Sequence, residues 1–303
     1  MDSILIVGTG ALACLFAARL AASGVEVTML GTWREGLAAL RNYGVTLVQP
    51  DGSQTSYPVR VVDDTGACSS SRHALVLVKS WQTARAARQL GECLAGNGIA
   101  LTLQNGLGNA DTLAGMLGPQ RVGLGVTTTG ATLLSSGRVR PGGEGIISIG
   151  AHPKLKPILD MLTIAGFQFE VLDDVQVLIW GKLVVNAAIN PLTALLKMTN
   201  GEILTRSAAT RLSGDLAREV AAVAAAKGID LTHIDPVAVS QGVAEKTAGN
   251  HSSMYQDIQR GAPTEIDAIC GAVVETGEEL NIPTPVNYVM WQLIHAAVQG
   301  GTA

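Results

Sequence analysis

Three residues with chemistry to offer recur every four positions in one apolar stretch: Lys182, Asn186 and Asn190, within residues 179–194. On a helix this spacing projects an ammonium and two carboxamides from nearly one side. The remaining Leu, Val, Ile and Ala residues would bury that helix on most of its surface. Burying a polar group without a partner costs about 2–7 kcal/mol. The three side chains therefore need polar partners or a wet cleft. A lysine so placed can stabilise negative charge forming on an oxygen and hand it a proton. The plainer alternative is a helix whose one polar face meets solvent. Pro191 has no N–H for the carbonyl four residues back, so a kink is expected there.

A second pattern stands at the start of the chain. Ile4-Leu5-Ile6-Val7 reads as a buried strand and leads into Gly8-Thr9-Gly10-Ala11-Leu12-Ala13, then into a helical stretch ended by Ser23-Gly24. This is G-x-G-x-x-A between a strand and a helix. Gly8 makes the tight turn, Gly10 lets backbone approach a pyrophosphate, and Ala13 is small enough for the helix to pack on the strand. The helix N-terminus offers N–H groups and partial positive charge to phosphates. The motif alone is weak in a chain with 35 glycines; its placement is what points to a dinucleotide. The next strand, residues 25–30, ends in Gly31-Thr32-Trp33-Arg34, with no acid to hold a ribose 2′-hydroxyl. Thr32 and Arg34 could instead meet a 2′-phosphate, so NADP(H) is the expected cofactor. Arg34 also reads as a solvated residue in the first turn of a helix.

Further strands at 74–78 and 99–103 run into Lys79 and Asn105. Ligands of open parallel sheets sit beyond such carboxyl ends, although Asn105 beside Gly106 also fits plain turn chemistry. Short strands between 121 and 150 suggest an antiparallel addition to the sheet. From residue 175 onward the pattern is helical almost throughout, with Ser253 placed to open one helix and Glu265 another. The expected fold is α/β: an N-terminal Rossmann-type dinucleotide-binding domain (1–173) followed by an all-helical C-terminal domain (174–303).

Bulk properties set limits. The 303 residues are 47% hydrophobic and 15% charged, which suits two well-filled cores. A net charge of −4 argues against a nucleic-acid partner. No basic leader precedes the first strand, and the apolar stretches look too interrupted to span a bilayer, so no membrane role and a cytoplasmic location are expected. Cys14, Cys68, Cys93 and Cys270 are scattered, with no metal-ligand spacing. They read as reduced core residues, and no metal is expected.

Taken together the motifs resemble the ketopantoate reductase family over the whole chain and in order. They are G-x-G-A-L at the start, Lys79-Ser80-Trp81-Gln82, Asn105-Gly106-Leu107-Gly108, Lys182-Leu183 followed by Asn186 and Ile189-Asn190-Pro191-Leu192-Thr193-Ala194, Asn200-Gly201-Glu202, Ser252-Ser253-Met254 with Gln256-Asp257, and Thr264-Glu265-Ile266-Asp267. The resemblance implies NADPH-dependent reduction of 2-dehydropantoate to pantoate, in pantothenate and coenzyme A synthesis. It further implies that residues 8–13 bind the pyrophosphate, that Lys79 and Asn105 lie beside the nicotinamide, and that backbone near Thr132 contacts the cofactor. Lys182 would be the general acid. Asn105, Asn186, Asn190, Asn200 and Ser253 would hold the substrate, and Glu265 would lie beside the reacting centre and the cofactor. An arginine that commonly ends the second strand in the family is replaced by Thr32. Such a site implies a cleft between the domains. Two alternatives stay open: a reductase of another small 2-oxo acid, and a non-catalytic NADP-sensing protein. The latter should have lost Lys182 or Glu265, and both are present. A homodimer is compatible with this reading.

Overall fold

Apolar runs buried on both faces build the first unit, seen in a computed structural model that describes residues 3–68, 70–232 and 235–299. Its elements are β1 (Ser3–Val7), α1 (Ala11–Ala22), β2 (Glu26–Leu30), α2 (Arg34–Tyr43), β3 (Val45–Val48), β4 (Gln54–Tyr57), β5 (Arg60–Val62), β6 (Ser71–Val76), α3 (Thr83–Cys93), β7 (Leu94–Thr102), α4 (Asn109–Leu117), β8 (Val122–Thr127), β9 (Ala131–Ser135), β10 (Arg138–Pro141), β11 (Ile146–Gly150), α5 (Lys156–Ile164) and β12 (Gln168–Leu172). Eight strands form one sheet in the order β12-β11-β8-β7-β6-β1-β2-β5. The strands from β8 to β5 are parallel, and β11 turns antiparallel against β8. Strand order reverses at β1, flanked by β2 and β6, which is where such sheets bind ligands.

The antiparallel addition expected from residues 121–150 holds only for β11. The strands β9 and β10 leave the large sheet and form a second, four-stranded one, β4-β3-β10-β9. Its apolar residues Val45, Leu47 and Val139 share a core with Leu15, Phe16 and Leu20 of α1. Alternating short strands could not announce this, because pairing partners lie about ninety residues apart. The reduced state expected of the cysteines is also corrected. Cys68 and Cys93 are paired as a disulfide with Cα atoms 5.2 Å apart, because the chain after β5 returns to the end of α3. Cys14 and Cys270 remain free and buried.

The second unit is helical. It comprises α6 (Gln176–Leu196), α7 (Glu202–Thr205), α8 (Ser207–Ala226), α9 (Pro236–Lys246), α10 (Ser253–Gln259), α11 (Ala272–Leu280) and α12 (Pro285–Gln299). A π-helical turn over Asp267–Gly271 leads into α11. Leu183, Val184, Ala187 and Ala188 of α6 share a core with Leu216, Ala217, Val220 and Ile269. Among the described residues α6 is the one helix long and apolar enough, by length and composition alone, to cross a membrane. Its apolar window is 67% buried by the protein itself, which marks it as a core helix. Pro191 lies inside α6 without ending it.

Packing divides the chain as Met1–Gln104 with Asn109–Val175, and Asn105–Gly108 with Gln176–Ala303. In this division the loop 105–108, entered from β7, is grouped with the helices.

Candidate active site

The glycine turn is shaped by its neighbours. Gly8 has φ +133° and donates its N–H to the Leu30 carbonyl at 2.8 Å, and a Cβ there would stand 3.0 Å from the Leu77 carbonyl. Only glycine suits that backbone squeezed between the ends of β2 and β6. Gly10 is the extended N-cap of α1, with no side-chain cap and no acid in the first turn. The free N–H groups of Ala11 and its neighbours can serve an anion. Ala13 is fully buried in the core that includes Ile4 and Ile6, so the small third position closes helix onto strand. Gly8, Gly10, Ala11, Leu12 and Ala13 thus fit a pyrophosphate.

Beside this turn, Thr9, Thr32, Trp33, Gln82, Arg85 and Gln89 line a recess at the tips of β1, β2 and β6. Lys79, half-buried, follows β6 with extended backbone and enters the short 3₁₀ turn Ser80–Gln82. The Gln104 amide braces these tips, donating to the Val78 carbonyl at 3.0 Å and to Thr83 Oγ1 at 2.8 Å. Of the expected cofactor residues, Gly8, Thr9 and Thr32 line the recess and the others, Arg34 and Thr132 among them, do not. Arg34 is the exposed first residue of α2, and Thr132 lies in the second sheet opposite Arg140.

In the helical unit, Lys182 and Glu265 form the charged centre. Burial drives the Lys182 ammonium down to about 8, and the Glu265 carboxylate pulls in the opposite direction. Glu265 is 5% exposed and sits just before the π-helical turn. Asn105 Nδ2 donates to Glu265 Oε2 at 3.3 Å. The loop is locked from both sides: Leu107 N–H donates to the Ala268 carbonyl at 2.9 Å, and a Cβ on Gly106 would stand 2.4 Å from that same oxygen. Wide π-type turns of this kind recur at functional sites.

Asn186 is half-buried and Asn190 buried along α6, in register with Lys182. The Asn190 carbonyl, just before Pro191, accepts from Thr193 Oγ1 at 3.1 Å and from Ser252 Oγ at 3.4 Å. Ser252, not Ser253, caps α10, its Oγ accepting from Tyr255 N–H at 3.1 Å. The cap thus falls one residue earlier than the sequence expectation, because Ser252 is the residue that reaches α6. Ser253 is left as an exposed first helical residue.

Asn200 carries the most telling polar atom. It is 7% exposed, and its Nδ2 donates to Thr247 Oγ1 at 2.9 Å. Thr247 spends its own proton on the Val243 carbonyl at 2.7 Å, so its oxygen must accept from Asn200 and the amide orientation follows. Asn200 Oδ1 is then a buried acceptor with no partner among the described residues. Such an atom costs about 1–3 kcal/mol and suits a ligand donor. Among the described residues no group of three or more His, Cys, Asp or Glu could hold a metal ion.

Comparison with known proteins decides the family. Residues 4–154 match the family described as Ketopantoate reductase PanE/ApbA, and residues 174–299 match Ketopantoate reductase PanE/ApbA C terminal. The chain belongs to the ketopantoate reductase family. The 2-dehydropantoate 2-reductase of Halobacterium salinarum is 34% identical over 98% of this chain and 99% of its own. That of Archaeoglobus fulgidus is 34% identical over 99% of both. Among solved structures, a PanE/ApbA family ketopantoate reductase from Ralstonia eutropha JMP134 superposes with TM-score 0.91 at 30% identity, covering 98% of this chain and 99% of that one. D-mandelate dehydrogenase with NADH and anilino(oxo)acetate superposes with TM-score 0.92 at 25% identity and the same coverage. This ketopantoate reductase family member is an oxidoreductase with a dinucleotide-binding unit and a small 2-oxo acid as its substrate class.

Sequence reasoning missed Trp33, Arg85, Thr247 and Ser252. Arg85 could have been suspected from its place just past Lys79-Ser80-Trp81-Gln82. Nothing in sequence spacing marks Thr247 as the partner that orients Asn200.

Proposed function

We propose that this protein reduces 2-dehydropantoate to pantoate with NADPH, a step of pantothenate and coenzyme A synthesis carried out in the cytoplasm. The observation that carries the reading is the pair Lys182 and Glu265. A lysine held at about 8 by burial, beside a buried carboxylate, is matched to proton transfer near neutral pH. NADPH, when bound, supplies the hydride. As the carbonyl carbon of the 2-oxo acid is reduced, its oxygen gains negative charge, which the Lys182 ammonium stabilises and then neutralises by giving up a proton. The amine left behind regains a proton from water, and Glu265 favours that return. Asn105 orients Glu265 and can reach the substrate, while Asn186 and Asn190 offer amides to its carboxylate and carbonyl. Ser253 offers an exposed hydroxyl, and Asn200 Oδ1 is a natural acceptor for a substrate hydroxyl such as the one 2-dehydropantoate carries.

On the cofactor side, residues 8–13 would take the pyrophosphate, with Lys79 beside the nicotinamide half. Thr32 stands where an NAD site would place an acid, which favours the 2′-phosphate of NADPH. The test is to follow NADPH oxidation across 2-oxo acids, including 2-dehydropantoate, its analogue lacking the hydroxyl and an aryl 2-oxo acid, and to repeat it with NADH. The highest kcat/KM should fall on 2-dehydropantoate with NADPH; a clear preference for the aryl acid would replace this substrate assignment.

A further inference from the structure

The recess at the tips of β1, β2 and β6 contains a cation that neither the family motifs nor the strand-end rule supplies. Its polar lining is Thr9, Thr32, Gln82, Arg85 and Gln89, with the indole of Trp33 at its rim. No carboxylate is among its lining residues. The nearest acid after β2, Glu35, is engaged elsewhere: its Oε1 accepts from Ser136 Oγ at 2.7 Å. Arg85 stands in the first turn of α3 and is half-buried, with Ala86 and Leu90 of the same helix fully in the core. Its guanidinium makes no hydrogen bond or ion pair with any described residue. A partly buried arginine facing hydroxyls and amides, with no acid at hand, is completed by an anion, for which its planar fork is well suited.

We infer that Arg85 is the residue that recognises the 2′-phosphate of the dinucleotide and so sets the preference for NADPH over NADH. The inference rests on the proposed use of NADPH and names the side chain behind it. Thr32, at the end of β2, is too short and uncharged to neutralise a phosphate by itself; α3 supplies the charge from the other side of the recess. Gln82, one turn before Arg85, and Gln89, one turn after it, add amide donors. Trp33 is 40% exposed and its ring covers Gly36, where a Cβ would stand 2.2 Å from it. That backing leaves one indole face for the adenine. Arg34, in contrast, points its charge from the exposed start of α2 and is absent from the lining.

The test uses the full chain and two probes besides the cofactors: 2′,5′-ADP, which has the phosphate, and 5′-AMP, which lacks it, each titrated calorimetrically. Arg85→Ala should weaken 2′,5′-ADP and NADPH about 10- to 100-fold, the range for a lost charge-assisted hydrogen-bond pair. Binding of 5′-AMP and NADH should stay within about twofold. Arg85→Lys should recover part of the loss, since it keeps the charge without the fork. Arg88→Ala removes the same charge from an exposed site on the same helix and should change neither ratio. If the unaltered protein discriminates for NADPH and Arg85→Ala leaves that ratio intact, the assignment to Arg85 fails while the use of NADPH stands. Loss of discrimination in Arg34→Ala with Arg85→Ala silent would move the role to α2. Equal binding of NADH and NADPH by the unaltered protein would overturn both statements.

Discussion

Asn105 Nδ2 donates to Glu265 Oε2 at 3.3 Å, joining a loop beyond β7 to the start of the π-helical turn across 160 residues of chain. This bond aims the carboxylate whose charge opposes the effect of burial on Lys182. Glu265→Gln keeps the shape and removes the charge. The Lys182 value should then fall below about 8, because the influence that raises it is gone while desolvation stays. The alkaline limb of the kcat–pH profile should move to lower pH; an unmoved limb would show that Lys182 is not the group titrating.

Lys182 itself must be protonated to act as an acid. In the unaltered enzyme kcat should be high below about 8 and decline as pH rises through that value, since deprotonation removes the donor. Lys182→Ala should lower kcat and kcat/KM together by roughly 10²- to 10⁴-fold. Binding of NADPH, measured by its fluorescence, should persist. A rise in KM with kcat unchanged would assign Lys182 to substrate anchoring alone.

Asn200 predicts a selectivity effect. Its Oδ1 is buried without a partner among the described residues and is proposed to accept from the substrate hydroxyl. Asn200→Ala should raise KM for 2-dehydropantoate roughly tenfold, in line with a lost hydrogen bond to a buried group. The analogue without the hydroxyl should be affected far less, because in the unaltered enzyme it already leaves that acceptor unsatisfied. Equal losses on both compounds would mean that the Asn200 side chain serves only to hold Thr247.

Gly106 offers a backbone test. It has φ +81°, and any side chain would meet the Ala268 carbonyl at 2.4 Å. Gly106→Ala should destabilise the folded chain by about 1–3 kcal/mol in urea denaturation. It should also raise KM, by displacing Asn105 from Glu265. Gly108, with φ +80° and open space around its missing Cβ, should respond to the same change through strain alone and spare KM.

Much of this was present in residue types and spacing. The strand–turn–helix at 4–22 needs only local pattern: apolar β1, a glycine where φ is positive, alanines for a close helix. Lys182, Asn186 and Asn190 share a helix side because the helical period is a property of any chain. The same local logic could not say that β9 and β10 desert the large sheet, that Cys93 meets Cys68, or that Ser252 is the cap. Each depends on which distant segment arrives opposite, and sequence spacing carries no record of that. The candidate site divides in the same way. Motif order proposes Lys182, Glu265 and Asn105, but only folding brings Asn105 to Glu265 and seals Lys182 from water enough to lower its proton affinity. The charge facing Thr32 shows the limit most plainly. Reading along the chain favours Arg34, its near neighbour in sequence, whereas the parallel sheet places the start of α3 beside the end of β2. Proximity in a doubly wound sheet is set by strand order, and strand order is decided by tertiary packing.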